Sequence, residues 1–246
     1  MPAETSHPCF TSPENIDVKV WRYMDFTKYV ELLESCCLFF VRSDHLDDPY
    51  EGATSHVNVR LRPQVSSELG IPSDKLEQMA QLTKWVRQWT YLNCWHMNEY
   101  ESAAMWKLYA KTNEAVAIQS TFRYLEQSLP SHVYLGIVHY IDYDTEWMPE
   151  GNTFWPFVHK RKSFEHEREV RAVIQDLPQN EQKIEVGKEN KQIGQKVQVE
   201  LDEMIHRVYV SPTSPQWFAD LVDAITKRYG HTFEVTQSDL AQEPVY

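Results

Sequence analysis

Glu165-His166-Glu167-Arg168-Glu169-Val170-Arg171 places three carboxyl groups and two guanidinium groups in seven residues. Side chains alternate along an extended chain, so a strand here sets Glu165, Glu167, Glu169 and Arg171 on one face. Carboxylates that close repel unless they pair with cations or share a proton. Lys160, Arg161, Lys162, Arg168 and Arg171 stand nearby to pair with them. On general grounds such a run more often forms a solvated face with cross-strand ion pairs. The alternative is a catalytic carboxylate at the end of a strand, which is a rigid place to hold one. There it can stabilise an oxocarbenium-like sugar centre or activate a hydroxyl.

Asn93-Cys94-Trp95-His96-Met97-Asn98, followed by Ser102, Met105, Trp106 and Tyr109, interleaves polar groups with large rings. A planar ligand needs that mixture: stacking surfaces and a few orienting hydrogen bonds. Taken singly, Trp95, Met105 and Trp106 fit a core better, and His96 fits a structural histidine as well as a cleft one. Cys94 and His96, two apart on a strand, share a face as a thiol and its base would, but nothing nearby in sequence lowers the thiol pKa. Asp44, Asp47, Asp48 and Glu51 cluster in one loop with a spacing that matches no known metal loop. They read as a capped, solvated turn at Asp48-Pro49, and no metal is expected.

The elements that must position these groups are legible from periodicity. Strands are expected at 18–23, 38–41, 90–96, 115–119, 133–143, 167–175, 195–201, 207–210 and 232–236. Asp25 or Thr27 can cap a helix carrying Tyr29, Val30, Leu32 and Leu33, and Ser73 a helix carrying Leu76, Met79, Leu82, Val86 and Trp89. Ser102–Ala110 reads as a short helix, 157–163 as a basic helical stretch, and Ser214-Pro215 opens a final helix ended by Gly230. Residues 178–190 read as flexible. Strands and helices mix without strict alternation, which predicts an α+β fold: a single domain over 18–246, with helices packed on a mainly antiparallel sheet. Residues 1–17 are expected to be a flexible N-terminal arm, polar and without the apolar core of a signal peptide.

Composition narrows the function classes. Hydrophobic residues make up 42% of the 246 and charged ones 24%, ordinary for a globular protein. The net charge of −12 disfavours a nucleic-acid partner, whose affinity rests on Lys and Arg displacing counterions. No apolar run is long enough to span a membrane. The four cysteines form no CxxC pair, so a reducing, cytoplasmic setting is expected rather than a disulfide scaffold. The seven glycines make no dinucleotide or P-loop fingerprint, and GxSxG and HExxH are missing.

Several segments together resemble a bacterial family known as domain of unknown function 2971, over about Val20 to Tyr246. They are Trp21-Arg22-Tyr23, Leu38-Phe39-Phe40, Asp48-Pro49-Tyr50-Glu51-Gly52, Cys94-Trp95-His96, Met105-Trp106, Lys160 with Phe164 to Arg171, Val210-Ser211-Pro212 and Ser238-Asp239-Leu240. More distantly, the opening strand with Arg22, the helix ending in Leu-Leu and the next strand are similar to the start of ADP-ribosyltransferase folds. Those enzymes use an Arg or His, then a Ser or Tyr, then a Glu, often within Glu-x-Glu. Arg22 stands at the first position and Glu167-x-Glu169 at the third. Near Cys94 and His96, where the second is expected, there is neither Ser nor Tyr.

The resemblance implies NAD as substrate. Arg22, Tyr23, Cys94, Trp95, His96, Ser102, Trp106 and Tyr109 would line its site, and Glu169, Glu167 and Arg22 would be catalytic. Arg22 would grip ribose or pyrophosphate, Glu169 would stabilise the positive sugar centre, and Glu167 would act on the acceptor. The expected function is an ADP-ribosyl transferase or NAD hydrolase, a toxin or phage-defence effector, with a protein, water or small-molecule acceptor. Two alternatives stand beside it. One is a non-catalytic module that binds a nucleotide or a protein. The other, weaker, is a metal-dependent hydrolase built from Asp44, Asp48, Glu167 and Glu169.

Overall fold

In a computed structural model, residues 2–68, 70, 72–110, 112–181 and 183–242 are described, with the main chain alone at Ser73 and Asp74. The strands are β1 (Lys19–Asp25), β2 (Cys37–Arg42), β3 (Thr90–Met97), β4 (Ala115–Thr121), β5 (Tyr134–Ile137), β6 (His139–Ile141), β7 (His159–Arg161), β8 (Glu169–Gln175), β9 (Gln179–Asn180), β10 (Lys183–Ile184), β11 (Gly194–Gln198), β12 (Arg207–Val210) and β13 (Glu234–Gln237). The helices are α1 (Phe26–Ser35), α2 (His56–Glu68), α3 (Ser73–Val86), α4 (Ala103–Tyr109), α5 (Phe122–Ser128), α6 (Leu201–Met204) and α7 (Gln216–Arg228). Among the described residues nine strands form one sheet, antiparallel throughout except for β12 against β13. This is the expected single α+β domain. Among the described residues no helix is long and apolar enough to cross a membrane.

Strand β3 organises the sheet. Along one edge it pairs with β8 from Thr90↔Gln175 to His96↔Glu169. A strand has only two edges, so β1 and β2 divide the other. Trp21 pairs with His96 at one end, and Val41 with Leu92 at the other. Between these registers, at Asn93–Trp95, β1 and β2 splay apart. Side chains bridge the fork: Asn93 Nδ2 donates to the Phe39 carbonyl at 2.8 Å and Arg22 Nη2 reaches the same oxygen at 3.5 Å.

Alternation sorts the two faces. Val20, Met24, Trp95, Val170, Ala172 and Ile174 turn to the main core, against Leu32 and Leu33 of α1, Leu125 of α5 and Val222 of α7. Helix α7 supplies this stripe through Phe218, Ala219 and Val222, at the helical spacing of a buried face. The opposite face carries two smaller clusters. In one, Trp21 and Tyr23 pack on Met105 and Trp106 of α4, and in the other Leu92 and Val173 pack on Phe157. Between them the same face holds charged side chains.

Several elements differ from expectation. Residues 162–167 form a 3₁₀ turn rather than strand, so Glu165 is not in register with Glu169. The basic stretch 157–163 is divided between the end of another such turn, strand β7 and this one. The strand expected at 133–143 breaks into β5 and β6. Residues 178–190 hold the small β9–β10 hairpin. The expected cap of α3, the Ser73 side chain, lies outside the described residues. The segment read as a loose arm is packed. Cys9 and Phe10 are buried, Glu4 bridges Tyr134, and Ile137 N donates to the Thr11 carbonyl at 2.8 Å. Its few apolar residues find a place on the domain that its overall polarity hides.

Candidate functional site: a buried carboxylate pair

The turn at 162–167 ends at Arg168, whose φ of 42° is left-handed. That conformation is costly for a residue with a Cβ, and it reverses the chain so that β8 can start at Glu169. Met97 N donates to the Arg168 carbonyl at 2.9 Å, and His96 Nδ1 bonds the Glu167 carbonyl at 2.6 Å. Glu167 and Glu169 thereby enter one space, brought together by a turn and not by strand alternation.

Three carboxylates and two cations meet there. Arg171 Nε and Nη2 donate to Glu169 Oε2 at 2.9 and 2.6 Å, Nη1 and Nη2 to Glu51 at 2.8 and 3.1 Å, and Nη1 to the Phe157 carbonyl at 2.8 Å. All five N–H donors of the guanidinium are used. Lys160 Nζ bonds Glu169 Oε1 at 2.7 Å, bonds Glu167 Oε2, and lies 3.4 Å from Glu51. Glu51, Lys160, Glu167, Glu169 and Arg171 are each less than a tenth exposed. The expected solvated face is not what forms: Glu165 is exposed, but Glu167, Glu169 and Arg171 are buried.

The two glutamates are driven apart in acidity. Burial, a hydrogen bond with Glu169 and the charge of Glu169 lift Glu167 to about 7. Burial also opposes the charge on Glu169, but Arg171 and Lys160 outweigh it and hold that carboxyl well below the ordinary range. Carboxyls pushed apart in this way divide the work of acid–base chemistry between a proton carrier and a fixed charge. Tyr109 Oη donates to Glu167 Oε1 at 3.5 Å, and this half-exposed ring connects the pair to solvent. Tyr140 Oη accepts from Glu169 N at 2.8 Å.

His96 and Cys94 face this cluster. The Glu167 carbonyl can only accept, so His96 Nδ1 carries the proton. Nε2 is then a lone pair, buried and without a partner among the described residues. Burial lowers the His96 pKa and keeps the ring neutral. Burial, and then the charge of Glu169, push the Cys94 thiol up to about 12, so it rests protonated and is no nucleophile.

The other expected site residues separate. Trp95 lies on the far face of the sheet, 1% exposed in the main core, with Nε1 bonded to Asn93 Oδ1 at 2.7 Å. Alternation decides this: a neighbour of Cys94 and His96 in sequence must point away from both. Tyr23 and Trp106 pack edge to face at 4.9 Å, with no slot between them for a ligand ring. Ser102 caps α4, accepting from Met105 N, while its own N donates to Tyr23 Oη. Arg22 stands in the sheet fork beside Cys94, outside the ion network. Among the described residues its one side-chain acceptor is the Phe39 carbonyl, and burial lowers its pKa to about 10.

Sequence reasoning passed over Glu51 as part of a solvated turn, and Lys160 as a neighbouring charge. The available signal was Glu51-Gly52, since Gly52 adopts a φ of 73° and packs without a Cβ against the Phe157 ring. The carboxylates of the metal alternative each pair with a cation: Asp44 with Arg42, Asp48 with Arg161, and Glu167 and Glu169 with Lys160. Among the described residues no group of three or more His, Cys, Asp or Glu side chains is placed to hold a metal ion. In comparisons with known proteins, no family model, no curated protein and no solved structure matches the chain.

Proposed function

We propose that the chain is a glycosyl-transferring enzyme that consumes NAD, with Glu167 as proton carrier and Glu169 as fixed negative charge. The observation that carries this reading is the opposite displacement of two carboxyls in one buried network. In the proposed step the bond from the ribose anomeric carbon to the nicotinamide nitrogen breaks, and its electron pair leaves with nicotinamide. The acceptor oxygen bonds that carbon and gives its proton to the Glu167 carboxylate. Glu169 offsets the positive charge developing on the sugar. Nicotinamide release is the test. It is expected from the wild type, and to fall at least 100-fold in Glu167→Gln and Glu169→Gln proteins that remain folded. Equal release by wild type and Glu167→Gln overturns the reading.

A second reading is a non-catalytic binding module. It is favoured by the packed rings of Tyr23 and Trp106 and by the mutual neutralisation of buried charges, both of which also serve rigidity alone. It expects ADP-ribose to raise the melting temperature with no turnover of NAD under any acceptor condition.

A further inference from the structure

The segment 3–11 lies along β5 and reaches β6. Glu4 N donates to the Val133 carbonyl at 2.8 Å, Leu135 N to the Glu4 carbonyl at 3.1 Å, and Ile137 N to the Thr11 carbonyl at 2.8 Å. Phe10 is buried and stacks on Tyr134 at 5.3 Å. Gly136 lets the two chains meet, since a Cβ there would stand 3.0 Å from Thr11 N and 3.1 Å from Phe10 Cα. Where the segment reaches β6 it touches a histidine: Thr11 Oγ1 and His139 Nε2 are 3.3 Å apart.

A second imidazole stands beside the first. Strands β6 and β7 are parallel, and His139 is in register with His159, so both rings share one face. Their centroids are 5.4 Å apart. His159 is buried; its Nδ1 bonds the Trp155 carbonyl at 2.8 Å and so carries the proton, which leaves Nε2 to take another. Burial lowers the pKa of His139. Burial also lowers that of His159 against the bond to Trp155, and the charge of His139 adds to the lowering.

Among the described residues neither ring is paired with a carboxylate, and the other ionisable groups of the packed elements are engaged elsewhere. Glu4 bonds Ser6, Cys9 is a buried thiol beside Phe10 and Phe154, and the His7 ring packs on Phe10, Tyr134 and Phe154. Lys160 and Glu169 belong to the carboxylate network, and Arg161 pairs with Asp48. Tyr140 Oη accepts from Glu169 N, and Tyr143 Oη donates to the His159 carbonyl. A proton on either imidazole is thus a charge taken from water with nothing to offset it, beside a second ring that can charge as well.

We propose that His139 and His159 make the seat of segment 3–11 acid-sensitive: protonation of these rings lifts the segment from β5 and β6, so that water reaches the imidazolium. The undocked state holds these protons more tightly. Docking is therefore complete above the ordinary histidine value of 6.5 and weakens as pH falls below it, by up to ~10-fold per pH unit for each ring. The device is separate from the carboxylate cluster and does not depend on its chemistry.

The test is amide hydrogen exchange of the full chain between pH 7.5 and 5, corrected for the intrinsic rate. Leu135 and Ile137 report the docked segment, and Ile118 of β4, between β1 and β12, reports the sheet interior. Protection of Leu135 and Ile137 is expected to fall at least ~10-fold relative to Ile118 across that range. The fall is expected to vanish when His139→Gln and His159→Gln are combined, and to shrink in His139→Gln alone, which serves if the double variant does not fold. His7→Gln is expected to keep it. No fall, an equal fall at Ile118, an unchanged fall in His139→Gln, or its loss in His7→Gln overturns the proposal.

Discussion

Glu51 and Arg171 are 120 residues apart in sequence and meet in a two-point ion pair, Oε2 to Nη1 at 2.8 Å and Oε1 to Nη2 at 3.1 Å. The pair fastens the loop before α2 to the middle of β8, and Glu169 and Lys160 close around it. A buried pair of this kind owes its strength to completeness, because either partner alone would be a charge out of water.

Arg171→Ala should therefore cost about 3–5 kcal/mol, since it strands Glu51 and Glu169. Arg171→Lys should recover little of it, because one ammonium cannot replace five directed N–H groups. Urea unfolding of the three proteins checks both. A loss below about 1 kcal/mol for Arg171→Ala would show that the network contributes little.

The acidity of Glu167 gives stability a signed pH dependence. The folded state holds this proton to about pH 7, while the unfolded chain releases it near the ordinary 4.5. Between those values the native state binds more protons, so this group makes stability fall as pH rises, by up to ~1.4 kcal/mol per pH unit. Glu169 acts in a different window. Its depressed value adds stability above the ordinary carboxylate range, and that is lost as pH falls below about 4.5. Glu167→Gln should flatten the slope between pH 4.5 and 7 and leave the acid limb. An unchanged slope in urea titrations across that range would refute the assignment.

His96 should titrate below 6.5, with the proton on Nδ1 when neutral. Nitrogen-15 NMR of the ring reads both directly, and a midpoint at or above 6.5 or a proton on Nε2 would contradict the hydrogen bond to Glu167.

Gly52→Ala should destabilise the fold by about 1–3 kcal/mol. The position needs a φ of 73°, and a Cβ there collides with the Phe157 ring. Thermal unfolding measures it, and a neutral result would mean that the loop and ring can separate freely.

Much of the framework could be read from residue types. β3 and β8 stand out because β-branched and aromatic side chains alternate with polar ones, and Val170, Ala172 and Ile174 do turn to the core. Helix α2 shows no apolar stripe and contains Pro63, so periodicity has nothing to register. Trp95 was grouped with its neighbours by proximity in sequence, although a strand separates adjacent side chains by the thickness of the sheet. Glu167 and Glu169 were correctly read as a pair, but the turn through Arg168 that joins them rests on a left-handed residue for which no glycine gives warning. For Glu51 the local signal is the following Gly52, which marks a special backbone position but not the burial of the carboxylate. Its partner is set by long-range topology.

The packed N-terminal segment also bears on behaviour in solution. On the side away from β8, the amides of β5 are occupied by the first eleven residues: Leu135 N donates to the Glu4 carbonyl and Ile137 N to that of Thr11. A strand edge left bare is a template for pairing with another chain. Residues 3–11 thus act as a guard against self-association, and a protein shortened to begin at Ser12 would trade a quiet edge for an adhesive one.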